Sequence, residues 1–594
     1  MCISKSQTDL FIGLYRVLLT RDMVRQYENA EEFRRDFQNI ERRIKNEGFS
    51  FLTKTLPTLA KAIDNALVVG TLTIPFGFKK LKGTQSPVLL QVLFERVFNS
   101  DGSVKIDPCI SAVKDLRQIC FLFYKYEAPY DQSTIDQNIS QFKETDISLG
   151  WDCPTFEDRQ DSNVLNYAST LIHALVRDTD FSDIVPGHGS GAVATGEKNW
   201  EKMNFSRKYD CIHQQFPYYT YFFSHVADLA QNVQMYKDLE CVPSGIAKGI
   251  FVPKDSRGPR FISEEPLEFM YIQQGVARKM MKVIERHPLT RGHVNFTDQR
   301  INGALALEGS KSNDIVTLDM SEASDRVAYW IVQELFKHDL SLLAKLNALR
   351  TEATELPNGE IHLLRKFAPM GSALCFPIES LVHWAIAVAS LVVHGRVPRN
   401  RALKSVYVYG DDIVIKGENH VPLLTTFPLF GMKFNEGKCC TTGIFRESCG
   451  MDAVLGENVS VLKIKKRLPS GPYDATGYVS YIAYSNRLWQ DAYYSTAEYL
   501  QQALEDIFGP IPHATNCSPY SGFITTRWVG IDKFQSRKRW NRRYQRHEQS
   551  FRTTVPKKHY RDLDRSEYQR KLTNIGSVPS ILDLCKGKQM GTFT

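Results

Sequence analysis

Between Gly245 and Asp452, short runs rich in β-branched and aromatic residues alternate with longer helical stretches, a pattern that predicts an α/β core. Ile315 to Leu318 is one such run, and it ends at Asp319. Val406 to Tyr409 and Ile413 to Ile415 are two more, separated only by Gly410, Asp411 and Asp412. Runs this close predict an antiparallel hairpin with its acids at the tip, because Gly410 can adopt the positive φ of a tight turn. Phe376 to Val393 is the longest apolar stretch. Its length suits a membrane span, but Pro377, Glu379 and His383 are costly in hydrocarbon, so a buried helix without a membrane role is expected. Glu31 to Lys45 reads as helix, Gly77 to Gly83 as a Gly/Lys-rich turn, and residues beyond 456 as helix-prone, aromatic and increasingly basic.

Composition narrows the class. With 594 residues, 43% hydrophobic and 24% charged, the chain is not disordered, collagenous or a small disulfide scaffold, and it can bury a large core. Its net charge of +8 is concentrated near the C-terminus. Lys533 to Lys571 holds 14 Lys or Arg against 4 Asp or Glu, interleaved with Phe534, Trp540, Tyr544, Phe551, Tyr560 and Tyr568. Such a mixture suits phosphate neutralisation and base stacking, and equally suits a solvated surface. The 12 cysteines form no CxxC pair and no zinc-like spacing with histidine, which fits free thiols in a reducing cytosol. The N-terminus does not read as a secretory signal. Gly187, Gly189 and Ala192 match a GxGxxA pattern, but no buried strand precedes them, so a glycine-rich loop is expected. No P-loop, HExxH or GxSxG is present.

The acids carry the chemistry. Asp319 stands at a strand's exit, Asp325 follows in an Asp-rich turn, and the Asp411-Asp412 pair lies about ninety residues further on. A lone Asp pair is usually an exposed acidic turn. Here two β-rich runs clasp it, and adjacent carboxylates raise each other's cost of ionising unless a cation is present. Mg²⁺ takes oxygen ligands from one or two carboxylates plus substrate phosphates. Two such ions, about 3.5–4 Å apart, can serve an in-line displacement that transfers a nucleotidyl group.

Read in order, VPKDSRGPRFISEEP, TDQRIN, TLDMSEASD, MGSALCFPIESL, YGDD, NEGKCC and FRESCG resemble the motif series of template-directed RNA polymerases, specifically the replicase subunit of small positive-strand RNA phages of the Qβ type. The resemblance implies a right-hand fold with fingers, an α/β palm and a thumb. It implies Asp319, Asp411 and Asp412 as metal-binding catalytic acids with two Mg²⁺ ions, or Mn²⁺ in their place, and Asp412 as the weaker ligand. Asp325 would accept a hydrogen bond from the ribose 2′-hydroxyl, with a helix N-cap as its plainer role. Lys254, Arg257 and Arg260 would clamp the triphosphate, unless they only decorate a solvated loop. Gly371 and Ser372 would form the turn that supports template and sugar. Lys438 would be the general acid for pyrophosphate release, or else a surface lysine. Two positions depart from the phage pattern: Ala373 replaces a second glycine and Pro377 a usual Glu, which implies a stiffer loop. Glu379 stands, as in the phages, where other polymerases carry Asn.

The expected division is residues 1–265 as mainly fingers and N-terminal region, 266–455 as palm with inserted finger segments, and 456–594 as thumb and basic C-terminal region. The resemblance implies RNA template and product, NTPs, host translation elongation factors Tu and Ts and a small-subunit ribosomal protein as partners, in the cytoplasm of a bacterial host. Three other readings predict different behaviour. A reverse transcriptase shares the acids but normally has an aromatic gate in place of Asp325. A non-catalytic RNA-binding assembly protein would act through its charge, and a two-metal nuclease would shorten RNA.

Overall fold

A computed structural model of the chain describes residues 5–156, 158–223, 226–514, 521–524 and 536–551. At its centre is a four-stranded sheet in the order Lys433–Phe434, Ile315–Ser321, Asp412–Lys416, Val406–Tyr409. Every pairing in it is antiparallel. Ile315 to Leu318 are all buried because both faces of the sheet are covered, and successive residues serve opposite faces. Ile315 and Val414 pack with Leu305 of the helix Arg300–Ser312. Val316, Leu318, Ile413 and Ile415 instead join a large core with the helices Arg159–Val176, Leu267–Arg286 and Cys375–Val393.

The predicted apolar helix is Cys375–Val393, buried from Pro377 through Leu391. It is long and apolar enough to cross a membrane, yet most of it lies inside the protein. Pro377 falls in its first turn, where no intrahelical N–H partner is lost. The expected hairpin is present: Val406–Tyr409 and Asp412–Lys416 pair across a turn in which Gly410 has φ 64°. The helix read at Glu31 to Lys45 spans Ala30–Glu47. The glycine-rich stretch at 187–192 is a loop whose Gly189 and Gly191 carbonyls accept from the Lys202 ammonium.

A second sheet, ordered Gly258–Glu264, Ile246–Asp255, Ala353–Glu355, Ile361–Leu363, presents the cationic loop at the turn of its first hairpin. The helix Gln132–Ile147 lies against it, with Ile139 and Phe142 packed on Leu356, Leu364 and Phe261.

The N-terminal helices share a second large core with Val454, Ile464 and the helices Ala475–Gln490 and Tyr494–Phe508. Two buried polar contacts fix this union. Asp22 accepts hydrogen bonds from the Ser495 and Thr496 N–H groups and from Thr496 Oγ1, capping a helix far along the chain. Arg117 is ion-paired to Asp64 at 2.7 Å and to Asp452 at 2.9 Å. Of the basic stretch Lys533–Lys571, only 536–551 is described, as the antiparallel strands Ser536–Asn541 and Arg546–Phe551. Most of the nucleic-acid expectation placed on that stretch lies outside the described residues.

Candidate active site

Asp319, half-buried near the end of its strand, is the direct cross-strand partner of Asp412. Asp411 precedes Asp412 in the hairpin turn, so three carboxylates from two distant segments are brought to the same end of the sheet's inner strands. The turn must be tight here. A Cβ on Gly410 would lie 2.5 Å from the Phe376 ring, and its left-handed φ suits glycine. The apolar helix grips the same residue twice: Gly410 N–H donates to Ser380 Oγ at 3.1 Å, and His383 Nδ1 lies 2.9 Å from Gly410 O. A carbonyl only accepts, so Nδ1 carries the proton. Burial holds the His383 imidazole down at about 4, which keeps it neutral in this role.

Each acid has its own neighbours. Asp319 Oδ1 is 3.1 Å from Lys438 Nζ, and Asp319 Oδ2 accepts from Asn435 Nδ2 at 2.9 Å. Asp412 Oδ2 accepts from the Cys449 N–H at 3.0 Å. Desolvation in the cleft and the Asp319 carboxylate raise Asp411. Desolvation, then Asp411, push Asp412 up to about 6. Burial works against the charge on Lys438, but Glu447 and Asp319 outweigh it and hold the ammonium well above its usual range. Glu379 lies buried in the same cleft; burial, then Asp411 and Asp325, push it up to about 8, so it holds a proton at neutral pH.

The donor set suits a hard divalent cation, because burial first, and the neighbouring carboxylates second, push Asp411 and Asp412 towards protonation. Among the described residues no three acidic, histidine or cysteine side chains already converge on one point. Asp319 accepts from Lys438 on one oxygen and from Asn435 on the other, which leaves each oxygen a lone pair for an ion.

The cationic loop divides. Arg257 is held by Asp255 through Nε at 3.0 Å and Nη2 at 2.6 Å, and it lies over the Tyr124 ring at 4.6 Å. Lys254 and Arg260 form no ion pair among the described residues. Burial and the neighbouring Arg260 lower the pKa of Lys254, and Arg260 is also among the charges felt by Asp411. Of the three cations, Arg260 is the one whose charge reaches Asp411.

Gly371 has φ 125°, and a Cβ there would collide with the Ser263 carbonyl oxygen. The turn at Gly371 and Ser372 is thus laid directly along the strand Gly258–Glu264, where Ser263 N–H donates to Met370 O at 2.8 Å. Ser372 is buried, and its Oγ accepts from the Leu374 N–H at 3.3 Å. Asp325 sits in the 3₁₀ turn Ala323–Arg326, and its Oδ1 is 2.9 Å from the ammonium of Lys366. Sequence reasoning did not find Asn435, Ser380, His383 or Lys366 as site residues. Asn435 and Ser380 lie inside motifs already singled out, whereas Lys366 carries no local signal at all.

The profile of a family described as RNA replicase, beta-chain, matches residues 136–578. The RNA-directed RNA polymerase subunit beta of Qbeta virus (strain MX1) is 33% identical over 223 residues, which cover 38% of this chain and 36% of that protein. The subunit of the same description from Enterobacteria phage SP is 34% identical over 221 residues, covering 37% and 36%. The matched stretch thus spans little more than a third of the length of these curated relatives. Among solved structures, the RNA-dependent RNA polymerase of BmCPV at the elongation state overlays 76% of this chain and 44% of its own, with a TM-score of 0.43 and 9% identity.

Proposed function

The chain belongs to the RNA replicase beta-chain family, and from that premise we propose that it is an RNA-directed RNA polymerase that copies a positive-strand RNA phage genome. The observation that carries this reading is the direct cross-strand pairing of Asp319 with Asp412, beside Asp411, at the ends of the two inner strands of the central sheet. In the proposed reaction the 3′-oxygen of the growing RNA forms a bond to the α-phosphorus of a template-paired NTP. The bond from that phosphorus to the bridging oxygen breaks, and pyrophosphate leaves.

Asp319, Asp411 and Asp412 are the proposed ligands of two Mg²⁺ ions, with Mn²⁺ as a substitute. When bound, such ions lower the charge on the attacking and departing oxygens. Lys254 and Arg260 would meet the triphosphate, with Arg257, held by Asp255, stiffening the loop between them. Lys438 would donate a proton to the departing pyrophosphate, a role supported by its place beside Asp319. Asp325 would accept from the ribose 2′-hydroxyl, and the Gly371-Ser372 turn would carry sugar and template against the finger strand.

In the proposed division, 1–265 form mainly fingers, 266–455 the palm, and 456–594 the thumb and C-terminal region. The core shared by the N-terminal helices and the helices after residue 475 adds a brace between the first and third of these. By family resemblance, elongation factors Tu and Ts and a small-subunit ribosomal protein would join the chain in the host cytoplasm; purification of a fully active lone polypeptide from infected cells would contradict this.

The test is extension of a primed RNA template by the purified chain with Mg²⁺ and four NTPs or four dNTPs, with added host extract and an Asp411→Asn control. Template-dependent NTP incorporation that the substitution abolishes is expected. Equal use of dNTPs would point to a reverse transcriptase, shortening of labelled RNA to a nuclease, and full synthesis by Asp411→Asn would defeat the assignment.

A further inference from the structure

Lys366 is the most deeply buried cation near the site, with no exposed side-chain surface. Its ammonium lies 2.9 Å from Asp325 Oδ1, 3.7 Å from Asp146 Oδ1 and 3.7 Å from the centre of the Phe142 ring. Burying an ammonium costs several kcal/mol unless partners replace its water, and one carboxylate would suffice for neutrality. Two are present, and the shorter contact goes to the one in the cleft.

Asp146 is already well served without Lys366 Nζ. It accepts from the Arg365 N–H at 3.0 Å and the Lys366 N–H at 3.0 Å, and its Oδ2 lies 2.9 Å from His362 Nε2. These bonds lock the backbone that carries Lys366, so the direction of its side chain is set before it reaches Asp325. The same helix holds the other end of the turn: Gln141 Nε2 and Thr145 Oγ1 donate to the two carboxylate oxygens of Glu322, at 3.0 and 3.2 Å. Glu322, at φ 52°, begins the turn in which Asp325 lies. The helix Gln132–Ile147 therefore determines both where the turn sits and which oxygen of Asp325 is occupied. That leaves Oδ2 clear of the Lys366 ammonium on a side chain that is 24% exposed.

We propose that Lys366, braced by Asp146, is a positioning residue for ribose selection: it engages Oδ1 of Asp325 and thereby presents Oδ2 to the 2′-hydroxyl of the incoming nucleotide. The inference rests on the sugar-reading role of Asp325. A fixed acceptor discriminates because a deoxy sugar leaves it unpaired, whereas a rotating one can turn back to water. The chemistry at the phosphate does not pass through Lys366, so its effect is on the choice between sugars.

The experiment measures kcat/KM for single-nucleotide addition with an NTP and the matching 2′-deoxy NTP, in the full chain and in Lys366→Met, Asp146→Asn and Asp325→Ala. Lys366→Met is expected to lower the ribo-over-deoxy ratio about tenfold, mainly through a higher KM for the NTP. Asp146→Asn, which keeps the volume and most hydrogen bonds, is expected to move the ratio in the same direction by less, and serves if Lys366→Met does not fold. Equal losses for both sugars, with the ratio unchanged, would make Lys366 a structural residue and overturn the inference. A ratio that falls in Asp325→Ala but holds in Lys366→Met and Asp146→Asn overturns it too, while sparing the role of Asp325. A ratio unchanged in Asp325→Ala removes that role and the inference with it.

Discussion

Lys438 and Asp319 form an ion pair at 3.1 Å, and Glu447 stands 3.8 Å from the same ammonium. The proposed proton donor is therefore attached to one of the three acids of the cluster. The loop from Asn435 to Cys440 is shaped for this contact. Asn435 N–H donates to Asp319 O at 2.8 Å, and Cys440 N–H donates to Thr317 O at 2.8 Å, so the loop is pinned on both sides of Lys438.

Replacing Lys438 separates proton donation from charge balance. Lys438→Met is expected to slow nucleotide addition about 100-fold, within the usual range for a lost general acid, with little change in KM for NTP. Lys438→Arg keeps the positive charge but donates a proton poorly, so it is expected to fold as well as the parent and remain slow. Rapid-quench extension of a primed template reads both. An unimpaired Lys438→Met would remove the proton-donor role.

Gly410 has both a left-handed backbone and an aromatic ring where its Cβ would be. Gly410→Ala is expected to cost about 1–2 kcal/mol from the backbone and to displace Asp411 and Asp412, abolishing measurable extension. Phe376→Leu opens the space in front of the turn. The double variant is expected to recover part of the activity lost by Gly410→Ala, and failure to recover any would place the whole cost in φ.

What the sequence discloses and what it hides follow from distance along the chain. The Asp411-Asp412 hairpin, the strand ending at Asp319 and the buried helix Cys375–Val393 are encoded in runs of a few residues, so their hydrophobic pattern is sufficient to find them. The helix at Ala30–Glu47 is legible in the same way, but the docking of the N-terminal helices offers no such clue. Their partners lie hundreds of residues away, as with Asp22 and Thr496 or Tyr27 and Tyr493 around Asp115. Lys366 is hidden for the same reason: its role depends on Asp146 and Asp325, neither of which is its neighbour in sequence.

Arg117 is where the N-terminal helices meet the strand Met451–Val454. Its guanidinium lies between Asp64 and Asp452, and its side chain is 2% exposed. Arg117→Met leaves two inward carboxylates without their cation and is expected to destabilise the chain by about 3–5 kcal/mol. Adding Asp64→Asn and Asp452→Asn removes those charges and is expected to restore most of the loss. Thermal unfolding of the parent, the single and the triple variant measures it; a single variant as stable as the parent would show that the ion pairs contribute nothing.

Asp36 gives a pH dependence with a definite sign. It is 5% exposed, accepts from the Leu90 N–H at 3.0 Å, and burial pushes its carboxyl up from 3.8 to about 6. The folded state thus binds a proton more tightly than the unfolded one, so its contribution is greatest below pH 4 and declines as pH rises through 6. Above that, the folded chain carries a buried charge costing about 2–3 kcal/mol, at 1.36 kcal/mol per pKa unit. Asp36→Asn keeps an acceptor for Leu90 and cannot ionise. Its melting temperature is expected to exceed the parent's at pH 7.5, with the advantage shrinking towards pH 4. An advantage independent of pH would mean that Asp36 is not the titrating group.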